Sequence, residues 1–514
     1  MGLLRYYLPS VGPFEILFYV AGGLALVIAV NVILQLIPRN RNEPPTVFHW
    51  VPFLGSAAAY GKNPHEFFRK CREKHGDIFT FVMLGRRMTA YFGIEGNDFI
   101  LNSKNQELNA EEIYNALTGP VFGSGVIYDC DNATLMEQKR FVKFGLNQEA
   151  LESHVRLTEQ EVLDYIKNTP ELKGQSGTMS VSAVIAQITL YTAARTLQGA
   201  EVRKRLNREF AEFYHDLDMG FSPLNFVFGK VPLPVNVRRD AAHAKMRDVY
   251  MEIIKQRRES KCAPAEPDML WNFMECTYRN GRPIPDKEIA HLMIALLMAG
   301  QHSSSAAGEW IMLRLASQPE VAEEIYQEQL SYYKGSLQPI EYADIDHFTV
   351  LKNVIKETLR VHSSTHSILR KVKKPLRVPG TDYVVPEGNV MLASPTVTHF
   401  DERYFPNAQL WDPHRWDNYN PDEIETEADM VDYGYGVINK GTRSPYIAFG
   451  AGRHRCIGEK FAYANLAIIV GTFVRHFKFS TLDGKRTVPP TDFSSMFLRA
   501  MSPATIRWER RVSE

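Results

Sequence analysis

The chain has 514 residues, enough for one large domain or several small ones, and with 45% hydrophobic and 23% charged residues its composition is that of an ordinary globular protein. Lys plus Arg and Asp plus Glu number 59 each, so net charge gives no support to a nucleic-acid partner. The five cysteines (Cys71, Cys130, Cys262, Cys276 and Cys456) have no zinc-type spacing and no evident pairing, which argues against a disulfide framework and indicates a reducing compartment.

The first predicted element is an apolar helix over residues 16–37, interrupted only by Asn31 and Gln35. About twenty such residues cross the hydrocarbon core of a bilayer. The segment is too long for the apolar region of a secretory signal, and no small-residue cleavage site follows it. Arg39 and Arg41 come directly after it, which favours a cytoplasmic body. The sequence therefore predicts an uncleaved membrane anchor; a buried core helix is the alternative.

The rest of the chain is mainly helical. Helical periodicity covers residues 64–75 and dominates residues 135–330, with breaks near residues 170, 223 and 233. Short strand patterns occur at residues 77–82, 89–92, 383–385 and 390–392. An acidic, glycine-containing stretch over residues 419–443 is interpreted as a surface insertion. We predict one large, mainly α domain with small β-sheets over residues 44–514, preceded by an anchor and hinge over residues 1–43.

A long helix is predicted over residues 285–317, roughly 45 Å in length. Midway along it, the apolar pattern gives way to Gly300, Gln301, His302 and a run of serines that begins at Ser303. Glycine weakens a helix and serines compete for backbone carbonyls, so a bulge or kink is expected there. We interpret this turn as an oxygen-binding groove in which His302 and Ser303 relay protons. A polar patch at a helix–helix contact is the alternative.

Glu357 and Arg360 lie three residues apart in a helical stretch over residues 350–361 and can pair on one face. Such a pair alone carries little information, because surface helices often contain one. Arg415 lies in a loop ahead of the last motif of the chain. The three side chains are predicted to form a cluster that braces this motif from behind.

That motif is Phe-Gly-Ala-Gly-Arg-His-Arg-Cys-Ile-Gly at residues 449–458, followed by a predicted helix over residues 459–477. Its glycines allow a tight loop and a close approach to a flat ligand. Its two arginines and its histidine, with the positive end of the helix, favour the thiolate form of Cys456. A thiolate in such a loop is an axial ligand for haem iron. The alternative, a buried inert cysteine, does not account for five fixed positions in this spacing.

Together these motifs resemble the cytochrome P-450 superfamily, from about residue 44 to the end of the chain. Within the superfamily the chain is similar to fungal sterol 14α-demethylases. The segments that carry this narrower resemblance are residues 109–114, 125–130, 300–304, 366–370, 378–381 and 401–406. The resemblance implies a single large haem-binding domain with the cytochrome P-450 fold, haem b as cofactor, and Cys456 as the ligand of its iron.

The resemblance also assigns roles to individual residues. His302 matches a histidine that pairs with an acid, here Asp218, to pass protons inward, next to Ser303. The residues that match family positions holding the haem propionates are Tyr114, Tyr128, Lys139, Arg370 and His454. Those that match positions around the sterol are Phe122, Phe221, Gly300, Thr365, Ile368 and Met496. The matches to the structural cluster are Glu357, Arg360 and Arg415.

The implied reaction is the three-step oxidative removal of the 14α-methyl group of lanosterol or eburicol in ergosterol biosynthesis. The methyl carbon passes through alcohol and aldehyde and leaves as formate, with one O2 and two electrons used per step. NADPH supplies the electrons through a cytochrome reductase, and Arg140, Lys143, Arg453, Arg455 and Lys460 either form a basic docking face for it or are scattered solvated charges. The implied location is the endoplasmic reticulum membrane, single-pass, with a cytoplasmic catalytic domain and no nucleic-acid partner.

The chain departs from the family pattern at several positions. Ser303 stands where most of the superfamily has threonine, Ala448 where a proline is usual, and Met219 where a lysine is usual. Thr365 replaces an apolar residue and Thr396 a glycine, where a β-branched side chain can shift the backbone. This pattern predicts a diverged filamentous-fungal paralogue. The alternatives are oxidation of another hydrophobic substrate, and a haem-containing sterol or azole binder with weak turnover.

Overall fold

The computed structural model describes residues 13–37, 42–206, 208–260, 263–266, 268–419, 426–494 and 496–511. Three residues named above, Arg39, Arg41 and Cys262, lie outside these ranges. The other four cysteines are free thiols, as expected for a reducing compartment.

Helices make up most of the described chain. They are α1 Pro13–Leu36, α2 Ala57–Lys62, α3 Pro64–His75, α4 Gly93–Leu101, α5 Glu111–Phe122, α6 Asn132–Gly145, α7 Gln148–Asn168, α8 Val181–Ala193, α9 Ala200–Arg205, α10 Arg208–Gly220, α11 Asn225–Phe228, α12 Pro234–Ser260, α13 Met269–Glu275, α14 Asp286–Ser317, α15 Pro319–Tyr332, α16 Thr349–Val361, α17 Pro395–His399 and α18 Glu459–His476. The predicted mainly α fold is confirmed.

The strands are short. They are β1 Ile78–Met83, β2 Arg86–Tyr91, β3 Leu108–Asn109, β4 Ser176–Ser180, β5 Ile368–Val372, β6 Leu376–Arg377, β7 Val384–Val385, β8 Val390–Ala393, β9 Met430–Asp432, β10 Val437–Asn439, β11 Phe477–Thr481, β12 Thr491–Asp492, β13 Arg499–Ala500 and β14 Thr505–Arg510. The largest sheet has the order β1-β2-β8-β5-β3, with only β2 and β8 parallel, and a second has the order β11-β14-β4. The remaining strands form three two-stranded ladders.

The centre of the molecule is α14, which packs against α8, α12, α16 and α18. Because it is covered by other helices, its apolar residues are not confined to one stripe, and Trp310 is fully buried. Residues 286–317 form one continuous α-helix, so the bulge predicted at Gly300 is wrong, whereas the alternative, a kink, stays a prediction. The Ser303 side chain bonds within the helix: its hydroxyl donates to the carbonyl of Ala299, one turn earlier, at 2.8 Å.

Helix α1 is almost entirely exposed, and Phe14–Leu36 is long and apolar enough to cross a membrane.

The stretch interpreted as a surface insertion, residues 419–443, is described at residue 419 and from residue 426 onward. Most of these residues are exposed or half-buried, as that interpretation expects, but its hairpin also contacts the core. Tyr435, between β9 and β10, is 2% exposed and packs against Leu135 and Met136 of α6. The hairpin also supports the cysteine motif, because the Lys440 carbonyl accepts from the Gly452 amide at 2.6 Å.

Candidate functional site

The cysteine motif forms a tight loop between the core and α18. Gly450 and Gly452 have φ values of 68° and 67°, and a Cβ at Gly452 would lie 2.1 Å from the Leu101 carbonyl oxygen, so only glycine fits there. The Cys456 amide donates to the Phe449 carbonyl at 2.9 Å, which closes the loop. Cys456 therefore stands just ahead of α18, two residues before its N-cap, Gly458.

Cys456 lines a cavity of about 340 Å³ whose opposite wall is the middle of α14. The residue lies deep in the protein, yet its side chain is accessible because it faces this cavity. Burial raises the pKa of the thiol; the Gly458 amide, Lys139 and Arg455 act in the opposite direction. His454 does not assist as predicted, because burial and neighbouring cations lower its pKa far enough to leave the imidazole neutral.

One end of the cavity is polar. Tyr114, Tyr128, Arg370 and His454 all line it together with Cys456. The Arg370 side chain is buried, and among the described residues no carboxylate lies within 4 Å of its guanidinium. Its Nη1 donates to the neighbouring carbonyl of Leu369 at 2.8 Å. A buried guanidinium without an acid is costly, so this wall is suited to receive an anionic group of a ligand.

Lys139, the fifth residue of the predicted set, approaches from α6. Its Nζ donates to the carbonyls of Arg453 and Arg455, at 2.8 Å each, and lies 4.1 Å from the centre of the Tyr435 ring. Burial lowers the pKa of Lys139 to about 7. The residue thus binds the backbone of the cysteine loop rather than lining the cavity.

The predicted sterol-contact residues divide into three groups. Gly300, Thr365 and Ile368 line the cavity that contains Cys456. Met496 lines an adjoining, mainly apolar cavity, also of about 340 Å³, which shares Thr365 and Ile368 with the first. Phe122 and Phe221 line neither cavity and pack behind the residues that do.

The second layer is held by aromatic contacts. The rings of Phe122 and Phe221 are 5.8 Å apart, and Phe221 stacks at 6.1 Å on Phe497, which lines the cavity.

Thr396 lies away from both cavities: it is 1% exposed within α17, and its hydroxyl lies 3.1 Å from that of Ser394. Residue 396 adopts ordinary helical backbone, and the shift expected from its β-branched side chain stays a prediction.

The predicted relay residues are separated by α14. Ser303 lines the Cys456 cavity, whereas His302 and Asp218 line a second, polar cavity of about 500 Å³. His302 is 2% exposed, and its Nε2 lies 3.3 Å from an Asp218 carboxylate oxygen. Burial lowers the pKa of His302 to about 4; Asp218 acts against this shift and Arg499 adds to it. Arg499, which reaches His302 from β13, was missed because no local sequence motif indicates it.

The predicted structural cluster is present and completely buried. Glu357 and Arg360 form an ion pair at 2.8 Å with no exposed side-chain surface, and Arg415 Nε lies 3.4 Å from Glu357. Arg360 also donates to the backbone carbonyls of His399, Ala408 and Leu410 at 2.8, 2.8 and 2.9 Å. The cluster therefore fixes the loop between α17 and Arg415.

His399 connects this cluster to the cysteine loop and was missed by the sequence analysis. Its Nε2 accepts from the amide of Ile447, at 3.0 Å, just before the glycine-rich motif. The imidazole is neutral, because burial and the adjacent Arg360 lower its pKa to about 3. No local sequence signal distinguishes such a histidine from an ordinary core residue.

Comparison with known proteins agrees with this geometry. The family model described as Cytochrome P450 matches residues 44–508. Sterol 14-alpha demethylases of Aspergillus flavus and Gibberella zeae are 59% and 58% identical, over 96% and 97% of this chain and 97% and 99% of theirs. An eburicol 14-alpha-demethylase of Penicillium italicum is 55% identical over 96% of this chain and 97% of its own.

Among solved structures, a retinoic acid-bound cyanobacterial CYP120A1 matches with a TM-score of 0.76 and 18% identity, over 92% of this chain and all of that one. At that identity the likeness shows the fold alone. The family match over residues 44–508 and the near full-length relatives go further: the chain belongs to the cytochrome P450 family and is a haem-thiolate monooxygenase that receives its electrons from a redox partner.

Proposed function

We propose that this protein removes the 14α-methyl group of a sterol, lanosterol or eburicol, in three oxidations that use O2 and electrons from NADPH–cytochrome reductase. The observation that carries the proposal is the joining of two cavities at Thr365 and Ile368, one containing the thiol and the other mainly apolar. Relatives more than 50% identical over nearly their whole length bear the names sterol 14-alpha demethylase and eburicol 14-alpha-demethylase.

The residues of the first cavity fit haem. We assign Cys456 as the iron ligand and Tyr114, Tyr128, Arg370 and His454 as the groups that hold the propionates, while Lys139 supports them from behind through the carbonyls of Arg453 and Arg455. The buried guanidinium of Arg370, which faces the cavity and has no acidic partner among the residues that the structure describes, supports this assignment. Bound there, haem supplies the activation of O2, and the thiolate donates electron density to its iron.

The side chains of the protein position the substrate, exclude water from it and supply protons to the reaction. Gly300, Thr365, Ile368 and Met496 present small and apolar surface to a tetracyclic substrate, backed by Phe122 and Phe221. The Ser303 hydroxyl lies on the cavity wall, one turn from the carbonyl that it bonds. Asp218 and His302 hold a proton at the edge of the polar cavity behind α14, from which it is passed inward.

We further propose that residues 1–43 are a single-pass anchor and hinge in the endoplasmic reticulum membrane and that residues 44–514 form the cytoplasmic catalytic domain. The two side-chain amides of α1, Asn31 and Gln35, support this arrangement. Asn31 Nδ2 donates to the carbonyls of His49 and Trp50 at 2.8 and 2.9 Å, and Gln35 Nε2 donates to that of His49 at 2.7 Å. The amides that interrupt the anchor thereby attach it to the body.

The proposed reductase contact lies on the side of the cysteine loop. Of the predicted basic residues, Arg140, Arg453 and Arg455 are engaged within the protein, with Glu137, Asn132 and Glu459 respectively. Lys460, exposed on the first turn of α18, is best placed to meet an acidic partner close to Cys456.

The test is reconstitution of the full-length holoenzyme with the reductase, NADPH and either lanosterol or eburicol in lipid vesicles. We expect the 14-demethylated diene and one formate per sterol, and Cys456→Ala as the control yields neither. A sterol that perturbs the haem spectrum but gives no product would overturn demethylation and favour the binding paralogue. In the same assay His302→Ala is expected to retain haem and lose product formation; unchanged turnover would remove His302 from the relay.

A further inference from the structure

His302 is bonded at both ring nitrogens, and the partner at Nδ1 is Arg499. The guanidinium Nη2 lies 3.1 Å from His302 Nδ1. A guanidinium can only donate hydrogen bonds, so Nδ1 must accept and therefore carries no proton. Among the described residues, no carboxylate lies within 4 Å of Arg499, so its nearest polar side-chain partner is this imidazole.

The network on the other edge of the ring fixes the remaining proton. Gln301 Nε2 donates to the Ala186 carbonyl at 3.2 Å, which leaves its Oε1 to accept. The Tyr214 hydroxyl donates to this Oε1 at 2.5 Å. The oxygen of Tyr214, 2.9 Å from His302 Nε2, is thus an acceptor, as is Asp218 at 3.3 Å. Both acceptors call for a proton on His302 Nε2.

We propose, resting on the function proposed above, that Arg499 is a positioning residue that holds His302 neutral, with its proton on Nε2, and withholds Nδ1 from proton transfer. Passage of a proton through an imidazole needs one nitrogen to accept and the other to release. While Arg499 occupies Nδ1, His302 can only exchange its proton with the polar cavity. Inward delivery therefore requires Arg499 to leave the ring, which makes this contact a gate on the proton supply.

The charges around the ring agree with a neutral imidazole. Asp218 and Tyr214 face it from α10, Arg499 from β13, and the buried Glu309 lies further along α14, bonded to the Ser182 hydroxyl at 2.5 Å. His215 lines the same cavity. The negative Asp218 lies at the Nε2 edge of the imidazole and the positive Arg499 at the Nδ1 edge. A proton on Nδ1 would therefore place two cations, the imidazolium and the guanidinium, in direct contact. Phe497 stacks on the ring at 5.6 Å and 9° and holds its plane.

The protonation state can be read without turnover. Exchange of the imidazole carbon-bound hydrogen for deuterium, followed by mass spectrometry of the His302 peptide, reports the titration of that one residue in the full-length holoenzyme. In the unmodified protein we expect no inflection between pH 5 and 8. In Arg499→Met we expect an inflection inside this range, an upward shift of about one unit or more, because Asp218 then acts on His302 against burial alone.

Three controls make the outcome decisive. Arg499→Lys keeps a cation that donates and should restore the flat profile, and Arg507→Met removes an exposed arginine from the neighbouring β14 and should change nothing. If Arg499→Met fails to bind haem, Arg499→Gln is measured instead. The unmodified protein is a test by itself, because the proposal predicts that it shows no inflection between pH 5 and 8. An inflection near the ordinary histidine value of about 6.5 in the unmodified protein would overturn the proposal, and so would a flat profile in Arg499→Met or in the Arg499→Gln variant that replaces it.

Turnover gives a second, separable readout. In the reconstituted reaction Arg499→Met should gain a pH dependence of kcat between pH 5 and 8 that the unmodified protein and Arg507→Met lack. KM for the sterol should be unchanged, because Arg499 does not line the substrate cavities. A failure of sterol demethylation would leave the exchange result standing. A failure of the exchange result would leave demethylation standing, so the two proposals are tested apart.

Discussion

The buried Glu357–Arg360 pair makes a sharp prediction about stability, because α3 contains a matched pair on the surface. Glu66 and Arg69 have the same order, the same spacing and the same 2.8 Å separation, but their side chains are 41% and 56% exposed. Glu357 and Arg360 have no exposed surface. The comparison of Arg360→Met with Arg69→Met therefore isolates the effect of burial.

The size of the effect follows from the contacts that Arg360 makes. Its guanidinium donates two hydrogen bonds to Glu357 and three to backbone carbonyls, all between 2.8 and 2.9 Å. Removing it leaves the Glu357 carboxylate buried with fewer donors and three carbonyls unsatisfied, which costs about 3–5 kcal/mol. At about 1 kcal/mol per degree for a domain of this size, Tm should fall by roughly 3–5 °C.

The assay is thermal unfolding of the full-length holoenzyme, followed by calorimetry and, in parallel, by the thiolate-type spectrum of the reduced carbon-monoxide complex. We expect Arg360→Met to lower both transitions, because Arg360 reaches the cysteine loop through His399. Arg69→Met should leave both unchanged, since an exposed pair is screened by water. Equal effects in the two variants, or an unchanged Tm in Arg360→Met, would refute the assignment of a bracing role to the buried cluster.

Three further predictions concern the site and its pH dependence. Cys456→Ala should abolish the thiolate-type spectrum of the reduced carbon-monoxide complex at unchanged secondary structure by circular dichroism, and survival of that spectrum would exclude Cys456 as ligand. Arg370→Met should speed the transfer of haem to apomyoglobin by about tenfold or more, corresponding to loss of one charge-assisted bond of 1.5–3 kcal/mol, whereas Arg377→Met, exposed on β6, should not. Burial lowers the pKa of His154 to about 4 and those of His366 and His399 to about 3, below about 6.5 in the unfolded chain. The unfolded state therefore binds more protons below pH 6.5, so Tm should be constant above that value and fall as pH drops toward 4; a Tm that rises on acidification would contradict the sign.

Sequence reasoning succeeded where a motif is local. The cysteine loop, the Glu357–Arg360 spacing and the hairpin of β1 and β2 depend on residues close together in the chain, and each was located within a few positions. It failed where contacts are distant: Arg499 meets His302 across 197 positions, and Lys139 meets Arg453 across 314. Nothing in a single sequence reports such proximity. The bulge predicted at Gly300 failed for a different reason, because tertiary packing on both sides of α14 outweighs the weak propensity of one glycine.

The polar turn of α14 takes its meaning from the two cavities that it separates. Gly300, Ser303 and Ser304 face the cavity with Cys456, whereas Gln301 and His302 face the polar cavity on the other side. Residues that face the two cavities are interleaved within little more than one turn of helix. The sequence of this turn therefore shows only one polar stretch, although its side chains face two different cavities. In the proposed relay, the first side excludes water so that oxidation is confined to the substrate, and the second admits protons. A single helix then sets the distance a proton has to cross, and the proposed contact between Arg499 and His302 decides when it can.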